Sequence, residues 1–273
     1  MGFFPDYTKP GPGIDKNAPK KKGSFLYFDL VWRYLWKFVQ ANMLYVAVSL
    51  PILLIYHYLF CGIFSSIYGA EADISLINHS AIIFTAVLAI FWGTGPASCG
   101  YTYILRGIAR EEHVWVGLDF FRTIRDSFKH GLVFLIVDFV VFIACMVSIS
   151  VYSSYALSDN ILYIIPMYVV IAFVAFYTLM HFFIYEFEIT FENKIREIYK
   201  NSMLVTIAAF PMCAVITAII YFLTEVLLAS MPSAVIVGVG FVIWIGLMRF
   251  MIDLYAARFI KRQFMTETKE SEK

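Results

Sequence analysis

Charge is what this sequence has least of. Asp, Glu, Lys and Arg make up 15% of its 273 residues while apolar side chains make up 61%. Soluble domains carry about 25% charged and about 45–50% apolar residues, so an ordinary water-soluble globule is excluded. The net charge of +1 leaves no basic footprint of the kind that nucleic acid requires. Cysteine is sparse too. Cys61, Cys99, Cys145 and Cys213 all lie in apolar stretches, without a CxxC pair, which reads as small buried hydrophobes rather than a disulfide or zinc framework. The phosphate-cradling GxxxxGK[ST], the metal-binding HExxH and the nucleophile turn GxSxG are missing. The sequence therefore predicts no enzyme, no metal and no cofactor. Residues 1–23, with four prolines and four glycines, lack the apolar core of a signal peptide and cannot bury enough surface to order themselves.

What is abundant is long apolar runs. Six qualify, at 42–67, 78–103, 131–155, 161–185, 203–228 and 232–254, each close to the roughly 20 residues that a helix needs to cross hydrocarbon. Barrel strands are shorter and alternate. The expectation is an all-α polytopic membrane protein with a tail at 1–23, a six-helix domain at 24–262 and a charged tail at 263–273. Its 21 basic residues fall entirely in four segments: before the first run, between the second and third, between the fourth and fifth, and at the end of the sixth and beyond. The other three connections have none, so the positive-inside rule predicts that both termini are cytoplasmic.

Three stretches align without gaps: "FVQANMLYVAVSLP" from Phe38, "SFKHGLVFLIVDFV" from Ser127 and "IYKNSMLVTIAAFP" from Ile198. Each follows an amphipathic stretch with aromatics on one side and cations on the other, a pattern suited to a helix lying in the membrane interface. Three units are expected, each an interfacial helix followed by a membrane hairpin.

The second run is interrupted by "FWGTGPASCG". Pro96 removes a backbone donor and crowds the carbonyl of Trp92, while Gly93 and Gly95 make bending cheap. Counted from Asn78, this places a kink deep in the membrane, and the small residues from Ala97 onward permit close helix contact. Either the kink is a packing device, or its exposed carbonyls line a cavity, as in transporters with broken helices.

Few polar groups fall within the runs. Asp138, about seven residues into the third, is costly there and a site candidate by default; Arg106 or Arg249 is its expected partner. Arg249 and Asp253 stand four apart on the sixth run and can satisfy one another. His57 and His181 read as hydrogen-bonded interior histidines, and Glu186, Glu188 and Glu192 as a solvated interfacial face.

The segment "GTGPASCGYTYILRGIAREEHVWVGLDFFRTIRDSFKHG" resembles the signature of the YesL-like family of bacterial membrane proteins. Gly95, Pro96, Ala97, Tyr103, Leu105, Arg106, Trp115, Phe120, Phe121, Phe128 and Lys129 carry the likeness, with Asn42, Leu44 and Pro51 earlier in the chain and "YKNSML" later; Tyr45 stands where the family usually has Trp. The resemblance implies a role beside carbohydrate uptake, and hence an accessory protein that binds or regulates the permease subunits of an ABC-type importer, with membrane lipids as its other partners. A small-solute transporter or channel built on the broken second helix is the alternative.

Overall fold

The apolar runs form helices, and among the described residues there is no strand. The computed structural model describes residues 24–69, 73–158, 161–229 and 231–264; the predicted tail at 1–23 and all but the start of the one at 263–273 lie outside them. Six helical stretches are long and apolar enough to cross a membrane. They are α2 (Leu35–Tyr68), α3 (Ile74–Phe91), α6 (Phe128–Ser158), α7 (Ile164–Thr190), α8 (Ile195–Ala229) and the stretch of α9 (Ser233–Val239), a π-helical segment (Gly240–Trp244) and α10 (Ile245–Phe264). Helix α3 opens on an Asp73 cap whose side chain accepts the Ser75 N–H at 2.9 Å, an arrangement that satisfies one orphan donor of the first turn.

Two of the three interfacial helices exist as separate elements, α1 (Ser24–Arg33) and α5 (Val116–Asp126). Each meets the following span across a single residue, Tyr34 and Ser127 respectively. Their aromatic faces are exposed: Phe25, Phe28 and Trp32 on α1, with Trp115, Leu118 and Phe121 at α5. An Arg33–Glu111 ion pair at 3.0 Å and a Lys37 bond to the Val114 carbonyl at 3.3 Å tie the two regions together. The third expected interfacial helix does not form. Residues up to Thr190 continue α7, extended backbone at Phe191 stops it, and α8 starts at Ile195. Phe187 is buried in the core, so its aromatic ring serves the bundle rather than the interface.

The three aligned stretches share a burial phase. Asn42, Gly131 and Ser202 are buried at equivalent positions, as are Tyr45, Phe134 and Val205, and Ser49, Asp138 and Ala209. Spacings of three and seven from the first of each set put all nine on core-facing helix surfaces.

At the centre stands a helix that is not among the six candidate spans. α4 (Pro96–Arg110) has 13 of its 15 residues buried, against α2, α5, α6, α7 and α10. Its glycines set the distances to its neighbours. A Cβ at Gly100 would fall 2.8 Å from the Phe120 carbonyl of α5, and one at Gly246 of α10 would fall 2.7 Å from the Tyr101 hydroxyl.

Candidate functional site: the break between α3 and α4

The second run does not kink; it breaks. α3 stops at Phe91, four residues follow, and α4 restarts with Pro96 in its first turn, where a missing N–H costs nothing. Gly93 and Gly95 have φ of 77° and 70°, left-handed values that glycine adopts without a Cβ clash. The Gly93 N–H reaches back to the Leu88 carbonyl at 3.2 Å. Gly95 meets α6 backbone to backbone: a Cβ there would lie 2.7 Å from the Gly131 carbonyl, and one at Gly131 would lie 2.7 Å from the Pro96 Cα.

The break is also not deep. Starting at Ile74, the 18 residues of α3 span about 27 Å at 1.5 Å per residue, nearly a full crossing. The turn lies level with Gly131 in the first turn of α6 and Tyr185 near the end of α7. Counting from Asn78 had omitted the first turn of α3.

The carbonyls of Ala89, Ile90, Phe91 and Trp92 each take a side-chain donor from another helix of the bundle. The Arg249 guanidinium donates to the Ile90 carbonyl at 2.8 Å and the Phe91 carbonyl at 3.5 Å, and to the Thr102 hydroxyl at 3.4 Å. It sits over the Tyr185 ring at 5.2 Å. A cation at this end of α3 also meets the negative pole of the helix dipole. The Tyr185 hydroxyl donates to the Trp92 carbonyl at 3.0 Å and accepts the Gly95 N–H at 3.3 Å. The Tyr45 hydroxyl donates to the Ala89 carbonyl at 3.2 Å, Ser98 accepts the Thr94 N–H at 2.7 Å, and the Ser49 and Thr94 hydroxyls bond at 2.6 Å. Tyr45 in turn stacks on Tyr101, ring centroids 4.4 Å apart, and Tyr101 donates to Asn42 at 3.0 Å. Gly93, Gly95, Pro96 and Ala97 therefore form a sealed turn and line neither of the two apolar cavities found between the helices. A buried carbonyl without a partner is expensive. The Arg and Tyr side chains remove that cost for the Ala89 to Trp92 carbonyls, which favours the packing device over the carbonyl-lined cavity.

Asp138 does not pair with Arg106 or Arg249. Its carboxylate takes the Tyr177 hydroxyl at 2.7 Å and faces His181 Nε2 at 3.0 Å. The other ring nitrogen, Nδ1, lies 3.0 Å from the Tyr177 carbonyl. A carbonyl only accepts, so a bond there makes Nδ1 the donor and leaves Nε2 facing the carboxylate. Trp92 stacks flat on His181, centroids 5.5 Å apart, and its indole N–H donates to Thr178 at 2.9 Å.

Arg106 instead reaches the end of α7, donating to the Ile189 carbonyl and the Thr190 hydroxyl, both at 2.8 Å. It lies nearer the far end of α4, several residues past the break, whereas Asp138 faces inward from α6 beside α7. Glu186, expected on a solvated face, is fully buried and meets Arg110 at 3.4 Å. Glu188 likewise turns inward to His130 at 2.8 Å; only Glu192 is exposed. Arg249 and Asp253 pair as expected, at 3.6 Å. His57 stays apart from all of these, half-buried, with Cys61 Sγ 3.6 Å from its Nε2. Among the described residues no three His, Cys, Asp or Glu side chains converge as metal ligands.

The tyrosines that seal the break, Tyr45 and Tyr185, carried no sequence signal beyond their aromaticity. A tyrosine within an apolar run is itself a weak hint, because its buried hydroxyl must find a partner. Compared with known proteins, the chain matches no family model, no curated protein and no solved structure.

Proposed function

We propose that this chain is a non-enzymatic accessory protein of a bacterial cell membrane, both termini cytoplasmic, that binds and regulates the permease subunits of a carbohydrate ABC-type importer. The observation that carries this reading is the sealed break. Its polar groups are spent on Arg249, Tyr185, Tyr45, Ser98 and Ser49, so the broken helix serves to anchor the central α4 rather than to hold a hydrophilic solute. The likeness of the Gly95 to Lys129 segment to the YesL-like family supplies the link to sugar uptake. The distribution of Lys and Arg supplies the orientation. The surface suited to partners is then the cytoplasmic rim, where α1 and the start of α2 present Trp32 and Trp36, and α5 with its cap presents Trp115 and Phe121; aromatic anchors of this kind dominate interfaces.

A specific feature favours the second reading, a transporter. Asp138 and His181 are a buried ionisable pair inside the bundle, and such groups mark ion and proton paths in membranes. Purification from the native host in mild detergent separates the two. The accessory reading expects permease subunits to copurify and the Trp32→Ala/Trp115→Ala variant to lose them while remaining folded. Saturable sugar uptake into liposomes by the purified chain alone would replace it with the transporter.

A further inference from the structure

Beside the sealed break lies a cavity of about 350 Å³ between α2, α3, α6 and α7. Its walls are Phe60, Phe64, Phe84, Phe91, Trp92 and Phe142, and several of these rings pack edge or tilted against one another, Phe60 on Phe142 at 5.5 Å and Phe64 on Phe84 at 5.0 Å. At its rim are Ile67 and Phe84, 66% and 37% exposed, and at its floor is Trp92, 4% exposed. The opening is therefore continuous with the surface that the spans turn toward lipid.

We propose that this cavity is a binding site for an acyl chain of the surrounding bilayer, seated with its end against Trp92. Three observations select that occupant. The floor offers no free polar group, because the Trp92 N–H is held by Thr178, whose own hydroxyl donates to the Val174 carbonyl at 2.8 Å. A polar ligand would lose its hydration with nothing in exchange. Water is excluded for the same reason, since apolar cavities stay dry. An acyl chain, by contrast, leaves one hydrocarbon environment for another and gains the dispersion contacts that a void forfeits. The site is placed to matter. Trp92 stacks on His181 of the Asp138 pair, and its carbonyl is the acceptor that Tyr185 holds at the break. A chain that fills or leaves the cavity bears on both.

The chain has five tryptophans, so the full-length protein with Trp32, Trp36, Trp115 and Trp244 changed to Phe reports on Trp92 alone. It is reconstituted into bilayers of phosphatidylcholine brominated along its acyl chains, and its emission is compared with that in the unbrominated lipid. Bromine quenches indole by contact. Trp92 is expected to lose most of its emission, and Cys145→Phe or Val174→Phe, each of which fills the cavity from a different helix, is expected to restore it. Unquenched Trp92 in the brominated bilayer overturns the proposal. Quenching that both filling variants leave unchanged also overturns it, because the chain would then reach Trp92 by another route. Far-UV circular dichroism of each variant verifies that it is folded. The outcome is independent of whether a permease copurifies.

Discussion

Arg249 gives the sharpest test of how the break is held. Arg249→Met keeps a long unbranched side chain in the same space and removes the guanidinium. Two losses follow. The Ile90 carbonyl, bonded at 2.8 Å in the folded chain, becomes a buried acceptor without a partner, which costs about 1–3 kcal/mol. Asp253, 3.6 Å from the same guanidinium and 1% exposed, becomes an uncompensated buried charge, which costs about 3–5 kcal/mol. Both depend on one side chain, so they do not add in full, and the expected total is roughly 3–6 kcal/mol. Arg249→Met/Asp253→Leu removes the second loss and keeps the first, so it should recover to within about 1–3 kcal/mol of the parent. Arg249→Lys should fall between, since an ammonium keeps the charge but not the fork that spans two carbonyls and a hydroxyl. Equilibrium unfolding in mixed micelles, followed by far-UV circular dichroism, measures all four proteins. A double variant as stable as the parent would show that the α3 carbonyls gain nothing from Arg249. A single variant within about 0.5 kcal/mol of the parent, the range of ordinary surface changes, would refute the whole account.

The remaining predictions concern other parts of the same frame. Gly95→Ala should destabilise the fold by about 1–3 kcal/mol, through both its left-handed φ and its contact with the Gly131 carbonyl. Gly62→Ala, with nothing within 4 Å of its Cβ, should leave stability unchanged or raise it by up to about 1 kcal/mol in the same unfolding assay. Asp138→Leu and His181→Leu should each be strongly destabilising and the double change largely restored, whereas Asp138→Leu and Arg106→Leu should combine additively; additive losses for Asp138 and His181 would rule out their pairing. At the start of α3, the backbone and side-chain bonds from Ser75 hold the Asp73 carboxyl below its usual value. A depressed value means that the cap is fully stabilising above the ordinary aspartate pKa of about 3.9 and is lost as pH falls through the lower folded one. Exchange of the Ser75 amide should therefore quicken on acidification in the parent, and Asp73→Ala should abolish that dependence.

The spans were legible because crossing a membrane is a local property: about 20 apolar residues in a row suffice, whatever packs beside them. The break was legible for the same reason, since Gly93, Gly95 and Pro96 carry their backbone preferences with them. So was the Arg249–Asp253 pair, which a single helix turn brings together. The depth of the break was not, because it depends on where α3 begins and on which turns of α6 and α7 stand beside it. The partner of Asp138 was not either. An apolar run fixes that its carboxylate needs one, but only the adjacency of α6 and α7 selects His181 and Tyr177 over an arginine. Glu186 looked solvated because it sits near a charged loop, and it is buried because α7 continues past the expected end of its span into contact with Arg110 of α4. The sequence by itself determined the six long apolar helices and the place where one of them is interrupted. The tertiary structure alone decided what fills that break, because the carbonyls of Ala89 to Trp92 are paired by Tyr45, Arg249 and Tyr185, side chains from helices distant in sequence.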